Sequence, residues 1–254
     1  MLMMVVAVTA ALLACTKDGR ENENDDVEIE PQYAGADTMT LRVVDDGEDG
    51  TLILAGETEV YTLPLDGLTL YLDGSSMDAA EIESGMTAEV WYTGGVQETY
   101  PAKFSQVVAV SLSREDDARY DLCGLYLQVL EDLWATAPAL NDGVAQLGLD
   151  LSQTRLSPAE QGAVGVALSW QRDCPVLTGT WEALADQGYI DRERVEWDDG
   201  LFLSLAEENP SGALTFTAQK WRSGTGAYWF THCTARQNPS GHWDGYTVGG
   251  EAIS

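Results

Sequence analysis

Residues 37–113 carry short runs rich in β-forming residues, separated by clusters of Asp, Gly and Ser. Six such runs cover residues 40–44, 51–55, 59–63, 68–72, 87–93 and 106–112. Short strands at this spacing, with turn residues between them, are typical of a sandwich or a barrel. Because closing a sheet removes its exposed edges, we expect a small all-β barrel domain over residues 37–113.

The apolar positions change to a helical spacing after residue 114. Between residues 116 and 134 they recur three and four apart, with acids before them and Pro138 after them. Ser157-Pro158-Ala159-Glu160 is a capping box with proline at the first helical position, which predicts a helix to Arg172. Residues 180–187 predict a third helix, and strands follow from Gly200. The predicted fold class is α+β, with an antiparallel sheet in a second domain over residues 114–254.

The first apolar stretch differs from these, because residues 1–14 contain no charge and Thr9 is their only polar residue. As a helix they would rise about 21 Å, which is less than the roughly 30 Å of hydrocarbon in a bilayer. This length favours a signal peptide over a permanent membrane span.

The end of that stretch, Leu12-Leu13-Ala14-Cys15, resembles the lipobox of bacterial lipoproteins. The resemblance implies cleavage before Cys15 and a diacylglycerol on its sulfur, so the lipid bilayer is an expected partner. Two acyl chains give a firm anchor where one gives a marginal one. Residues 15–36 would form a lipidated acidic tether at the extracytoplasmic face of the cell membrane. No Lys or Arg precedes the apolar run, which leaves secretion, with cleavage after Val8-Thr9-Ala10, as the alternative.

Composition adds a strong acidic bias, since 13 basic and 42 acidic residues give a net charge of −29. Such a chain repels phosphate, which excludes nucleic acid as a partner and leaves the lipid to provide any membrane attachment. Residues 45–50 are acidic but lack the ligand spacing and closing Glu of a calcium loop, and they predict a hairpin turn. We therefore expect no metal and no cofactor.

Four cysteines are present. With Cys15 carrying lipid, Cys123, Cys174 and Cys233 remain, and these allow at most one disulfide within the chain. Cys123 lies in a helical pattern and Cys233 in an aromatic strand, which predicts that both are buried small apolar residues. A Cys174–Cys233 bridge stays open at this point.

Two segments resemble known domains. Residues 84–95 (SGMTAEVWYTGG) and 98–102 (ETYPA) resemble a small domain of unknown function found in exported proteins of Gram-positive bacteria. That resemblance implies an OB-like barrel and no reaction. Residues 220–228, from Lys220 to Tyr228, resemble an uncharacterised domain common in clostridial lipoproteins, which implies location only.

Signature motifs of common enzymes are missing from the sequence, including HExxH, GxSxG, SxxK, CxxC and GxGxxG. The two histidines are too few for a His-rich zinc site. The acidic pairs Glu207/Glu208 and Asp198/Asp199 suggest glycoside hydrolysis. Both pairs lie beside Gly or Pro in turn-like segments, which favours solvated turns, so we name no catalytic residue.

The candidate binding site is one face of a terminal sheet. We expect residues 214–222 and 227–236 to form a hairpin in which Trp221 faces Tyr228, and Arg236 to pair with His242 on a further strand. One face would then be apolar and form core: Leu214, Phe216, Ala218, Trp229, Cys233, Ala235 and Trp243. The other would present aromatic and hydrogen-bonding groups, which suits a ligand: Trp221, Tyr228, Phe230, His232, His242, Asp244 and Tyr246, with Gln219 and Arg236 beside them.

Two alternatives to this face remain open. One of the three helices covers it, or the strand pairing differs by one residue, which exchanges the two faces. The function we expect is non-catalytic binding of a peptide, glycan or protein partner outside the membrane. The alternatives are an extracytoplasmic hydrolase or wall-modifying enzyme that uses acidic residues, and a subunit that works only in an assembly or immunity complex.

Overall fold

The computed structural model describes residues 33, 35–45, 50–114, 121–209, 213–239 and 243–254. The predicted signal peptide, Cys15, most of the predicted tether, His242 and the centre of the predicted turn at 45–50 lie outside these residues. The described chain is mostly β, with two sheets and a few helices.

The first sheet forms a five-stranded closed barrel. Its strands follow the order β3-β2-β1-β6-β7, and β3 closes the barrel by pairing in parallel with the start of β7, where Tyr61 is opposite Ala102. The end of β7 pairs in parallel with β4, and β4 pairs with the antiparallel strand β5. The strands are β1 (Asp37–Asp45), β2 (Thr51–Ala55), β3 (Val60–Pro64), β4 (Leu70–Leu72), β5 (Ser75–Ser76), β6 (Thr87–Gln97) and β7 (Ala102–Ser113).

The six predicted strands all exist, but β1, β6 and β7 extend further than the sequence indicated, and β4 is shorter. Strand β6 continues past Gly94 and Gly95, which adopt φ values of 75° and 83°, and the register shifts between Thr93 and Val96. Glycine takes such angles without a side-chain clash. Two glycines that read as the end of a strand therefore form an irregularity inside a longer one.

The second sheet has the order β13-β12-β11-β10-β8-β9, and β14 pairs with β12 beside β13. Its elements are α1 (Leu122–Ala135), β8 (Gln146–Gln153), α2 (Pro158–Arg172), β9 (Val176–Thr178), α3 (Trp181–Asp186), β10 (Gly200–Glu207), β11 (Thr215–Ser223), β12 (Gly226–Gln237), β13 (Trp243–Thr247) and β14 (Gly250–Ile253). The predicted capping box of α2 is confirmed, since Ser157 Oγ accepts from Glu160 N and the Glu160 carboxylate accepts from Ser157 N.

The prediction of an antiparallel sheet is wrong in part, because β8 pairs in parallel with both β10 and β9. Strand β8 was missed in the sequence between α1 and α2, and its Leu147, Leu149 and Leu151 are buried. From β8 the chain crosses through α2 to the neighbouring parallel strand β9, and such a connection needs a long crossover.

Helix α2 also packs on the outside of the barrel. Ile53, Ala55 and Val60 lie in the same buried cluster as residues of α1, α2 and the second sheet. The alternate barrel residues Leu52 and Leu54 belong to the barrel interior instead. The hydrophobic core is thus continuous across residue 114, and the proposed domain boundary there stays a prediction.

Two glycines of α2 allow this close packing. A Cβ at Gly162 would lie 3.0 Å from Val60 Cγ2 of the barrel and 3.0 Å from the Tyr100 hydroxyl, while a Cβ at Gly165 would lie 3.3 Å from Thr178 Cγ2 of β9. The helix therefore approaches the barrel and the second sheet through different residues. In the described part of the chain, none of the helices combines the length and the apolar character that a bilayer crossing requires.

Candidate functional site

A polar cleft of about 560 Å³ lies between α1 and β13, which is an edge strand of the second sheet. Helix α1 supplies two polar residues one turn apart on its exposed side, and β12, β13 and the residues after it supply the rest. The lining residues are Gln128, Asp132, Arg236, Trp243, Asp244, Gly245, Tyr246 and Val248. We refer to this site as the α1–β13 cleft.

Tyr246 joins the two walls of the cleft. Its hydroxyl donates a hydrogen bond to Asp132 Oδ2 at 2.9 Å, and its ring lies 5.7 Å from that of Phe216, centroid to centroid. Burial, and next the hydrogen bond to Asp132, raise the pKa of Tyr246 well above its usual value. Tyr246 is therefore a protonated donor at neutral pH and holds α1 and β13 together.

Trp243 and Arg236 bring further hydrogen-bond donors to the cleft. The indole Nε1 of Trp243 is buried and has no hydrogen-bond partner among the described residues. Arg236 Nη2 donates a long hydrogen bond of 3.5 Å to the Asp244 carbonyl, passing close to Gly245.

Of the seven predicted face residues, the structure places Asp244 and Tyr246 in this cleft and Trp221, Tyr228, Phe230 and His232 outside its lining, while His242 lies outside the described residues. Trp221 and Phe230 are buried, with 7% and 4% of their surfaces exposed. Tyr228 is half-buried, and its hydroxyl donates to Glu251 at 2.8 Å. The prediction that these residues share one exposed face is wrong.

Strand register explains that error. In the structure Ala227 is opposite Trp221 and Tyr228 is opposite Lys220, one residue away from the predicted pairing. The register shifts again between Phe216 and Ala218, and the alternation breaks at His232, whose φ is +51°. A one-residue shift moves a side chain to the opposite face of the strand.

Consequently Trp221 and Phe230 lie in different buried clusters. Trp221 packs with Trp197 and Phe202 on the side of α3, and its ring meets that of Trp181 edge-on. Phe230 belongs to the main core on the side of α1 and α2. The predicted strand that pairs Arg236 with His242 also differs, since Trp243 is opposite Gln237 and Tyr246 is opposite Ala235.

His232 is highly exposed and lies outside the cleft lining. Its Nδ1 lies 3.6 Å from Glu208 Oε1, and that carboxylate also accepts a hydrogen bond from Thr217 Oγ1 at 2.9 Å. The neighbouring Glu207 points the other way into the protein, where it accepts from Arg155 Nε and Tyr126. Glu207 and Glu208 therefore face opposite sides of β10 and do not form the pair that hydrolysis would need.

Asp198 and Asp199 also have separate structural contacts. Asp198 lies 3.5 Å from Arg194, and Asp199 Oδ1 accepts a hydrogen bond from Gln146 at 3.2 Å. Cys123, Cys174 and Cys233 are free thiols, so the Cys174–Cys233 bridge is not formed. Cys123 and Cys233 are buried, as predicted.

Gln128, Asp132, Gly245 and Val248 of the cleft lining were not singled out in the sequence. Trp243 was assigned to the core, and it packs against the core as well as lining the cleft. A signal existed in α1, because its three polar residues Gln128, Glu131 and Asp132 are spaced three and four apart, and such residues share one side of a helix.

No group of three or more potential metal ligands occurs among the residues that the structure describes. No family model, curated protein or solved structure matches this chain. The resemblances to a lipobox and to uncharacterised exported domains remain predictions from the sequence.

Proposed function

We propose that this protein is a lipid-anchored binding protein of the extracytoplasmic membrane face, and that the α1–β13 cleft is its ligand site. The anchor rests on the apolar run that ends in Leu12-Leu13-Ala14-Cys15. The site rests on one observation above all, the convergence of Trp243, Tyr246 and four hydrogen-bonding side chains on one cleft. Aromatic area combined with a few polar groups is typical of ligand sites.

We also propose that the barrel is OB-like. A meander of three strands, closed by a parallel contact between the third and the last strand of the barrel, supports that description. OB-folds commonly bind ligands on the face of their second and third strands. In this protein Ile53, Ala55 and Val60 of that face pack in the core shared with α2. A ligand site outside the barrel is consistent with that arrangement.

Binding without catalysis is favoured over hydrolysis. Each acidic residue of the two suspected pairs has a contact that accounts for it, and Glu207 is held by Arg155 and Tyr126. The cleft itself offers donors and acceptors of both kinds, from Gln128, Asp132 and Arg236. Such a lining fits a ligand with hydroxyl, amide or charged groups.

Cell fractionation tests the anchor. The Cys15→Ala variant should move from the membrane fraction to the soluble exported fraction, because the sulfur that carries the lipid is gone. Retention in the membrane fraction would contradict lipidation.

Binding to peptide and glycan arrays, with the full chain, tests the site. We expect Trp243→Ala to lose the signal on whichever array binds, and Trp170→Ala to keep it, since Trp170 is an exposed tryptophan on α2 outside the cleft lining. Gln128→Ala, on the exposed side of α1, provides a milder variant with little risk to folding. Equal binding by the wild type and by both cleft variants would contradict the assignment.

A further inference from the structure

The strand beside the cleft forms a long open edge of the second sheet. Strands β13 and β14 pair with β12 on one side, and within the described chain no strand pairs on their other side. The two strands keep one register, since Thr247 is opposite Thr234 and Gly250 is opposite Thr231. Together they act as a single edge strand from Trp243 to Ile253 with an irregularity at its centre.

This edge has only part of the usual protection against pairing with another chain, since it carries Asp244, Glu251 and a central irregularity but is long and has no Lys or Pro. Exposed edges in natural proteins are commonly short or carry Lys or Pro. Residues 243–253 contain neither Lys, Arg nor Pro, and Ile253 is 71% exposed. The opposite edge of the same sheet is β9, which spans only Val176–Thr178 and follows Pro175. Only one of the two edges is therefore suited to accept a strand.

The negative charge of this protein limits which peptide segments could pair with the edge of β13 and β14. A second copy of this chain also carries a net charge of −29, so edge-to-edge pairing would be opposed by repulsion. The acidic residues 16–32 of the same chain would be repelled in the same way. The cleft lining carries two carboxylates, Asp132 and Asp244, against one cation, Arg236, so its charge favours a cationic segment.

A cationic segment that paired with this edge would lie directly beside the α1–β13 cleft. Tyr246 and Val248 are two apart on β13 and its extension, and both line the cleft. A strand added beside them would place every second side chain on the same side, toward α1. A Lys or Arg there would lay its apolar stem along Val248 and its charge near Asp132 or Asp244.

We propose that the outer edge of β13 and β14 binds an extended basic peptide segment of a partner protein as an additional strand. Alternate Lys or Arg side chains of that segment enter the α1–β13 cleft. This inference rests on the proposed binding function and names its ligand class. Main-chain hydrogen bonds would give the affinity, and the cleft would select the side chains.

Titration of three defined peptides into the full chain in detergent, followed by calorimetry, tests the charge preference. Each peptide has seven residues in which Val alternates with Lys, with Gln or with Glu. We expect the Lys peptide to bind at least about tenfold more tightly than the Glu peptide, since several charge contacts of modest strength add. No detectable binding of the Lys peptide at millimolar concentration, or equal binding of the Glu peptide, would overturn the proposal.

A matched pair of variants locates the charge effect. Asp244→Asn should weaken binding of the Lys peptide about threefold, as expected for one exposed ion pair. Asp66→Asn removes the same charge from an exposed turn of the barrel and should leave the affinity unchanged. Equal effects of the two variants would mean that net charge, and not this edge, attracts the peptide.

Backbone methylation of the peptide separates strand pairing from simple cleft binding. Two Lys peptides are N-methylated at alternate residues, one at the odd and one at the even positions. Because a strand turns alternate N–H groups toward its neighbour, one version should lose at least about tenfold in affinity and the other should keep most of it. If both bind equally and Trp243→Ala still abolishes binding, strand addition is overturned while the proposed cleft function stands. If Trp243→Ala leaves binding intact, both are overturned.

Discussion

The barrel and the second sheet differ in how their strands are partnered and in what their interiors contain. All five barrel strands have a neighbour on each side, and the barrel interior is filled with aliphatic residues such as Leu52, Leu54 and Val110. The second sheet ends in one short edge and one long edge, and it surrounds a buried cation, Lys220. The five strands of the closed barrel leave no edge open to another strand, whereas the second sheet has both a long open edge and the α1–β13 cleft beside it.

The buried Lys220 shows most clearly how the second sheet differs from the aliphatic interior of the barrel. It is fully buried, and its Nζ donates to the carbonyls of Trp134 and Thr136 and to Asn141 Oδ1. These acceptors lie in the last turn of α1 and in the segment that follows it, where the helix dipole favours a positive charge. Arg222, two residues along β11, donates to the Leu140 carbonyl at 3.1 Å. Two cations of one strand therefore hold the segment after α1 against the sheet.

Replacing Lys220 should produce the largest effect. We expect Lys220→Met to lower the free energy of unfolding by about 2–4 kcal/mol, because several buried carbonyls lose a charged donor. Thr62→Val is the matched change at the buried polar residue of the barrel and should cost less than about 1 kcal/mol. Urea denaturation of both variants measures the difference. Because Thr62 is opposite Ile53 on the outer side of the barrel, equal losses would mean that this side depends on its buried polar group as strongly as the second sheet depends on Lys220.

The same lysine predicts a pH dependence. Burial lowers the pKa of Lys220 to about 8, against about 10.4 for lysine in an unfolded chain. Between these values the unfolded state binds more protons, so the stability of the wild type relative to Lys220→Met should rise with pH, by at most about 1.4 kcal/mol per pH unit. Denaturation of both proteins at pH 7 and pH 9.5 measures this. A relative stability that falls over this interval would show that the carbonyls around Nζ outweigh burial.

Helix α2 allows a comparison of its two packing sides. Alanine stabilises a helix interior by about 1 kcal/mol over glycine. At Gly165 the added Cβ meets Thr178 Cγ2 at 3.3 Å, whereas at Gly162 it meets the buried Val60 at 3.0 Å. We expect Gly165→Ala to be more stable than Gly162→Ala by about 1–2 kcal/mol, as judged by thermal and urea unfolding. The reverse order would mean that the barrel contact is the looser one.

Backbone strain gives the smallest expected effect. Val195 adopts a φ of +53°, which is unfavourable for a β-branched residue, and its side chain is exposed. Val195→Asn should therefore raise the free energy of unfolding by about 1 kcal/mol, because Asn tolerates this conformation. Val248→Asn, an exposed valine without a positive φ, should change it by less than about 0.5 kcal/mol. A destabilised Val195→Asn variant would point to a contact of the valine side chain that outweighs the strain.

Local signals in the sequence predicted much of this fold. The capping box at Ser157 placed the start of α2, and turn residues delimited β2 and β3 to within about a residue. These features depend on a few neighbouring residues. The closure of the barrel was expected from strand number and length, whereas its contact with α2 depends on Ile53 and Ala55, which resemble ordinary strand residues in the sequence.

Features that depend on partners distant in sequence were not predicted. The alternation of Leu147, Leu149 and Leu151 in β8 is a local strand signal that was overlooked, whereas the parallel pairing of β8 with β9 and β10 depends on strands that lie across helix crossovers. The positions of Tyr228 and Phe230 depend on a bulge in β12 that no local residue announces, while Trp221 keeps its predicted side of β11 and is covered on the side of α3. Asp132 and Tyr246 meet across more than a hundred residues, so their hydrogen bond is visible only in the folded chain.

The packing of Ile53, Ala55 and Val60 against α2 bears on how this protein is inherited. A gene fragment that encodes the barrel alone would yield a product with that apolar patch in contact with water. Recombination at residue 114 would thus break an internal surface instead of joining independent modules. The two halves are expected to pass between genomes together.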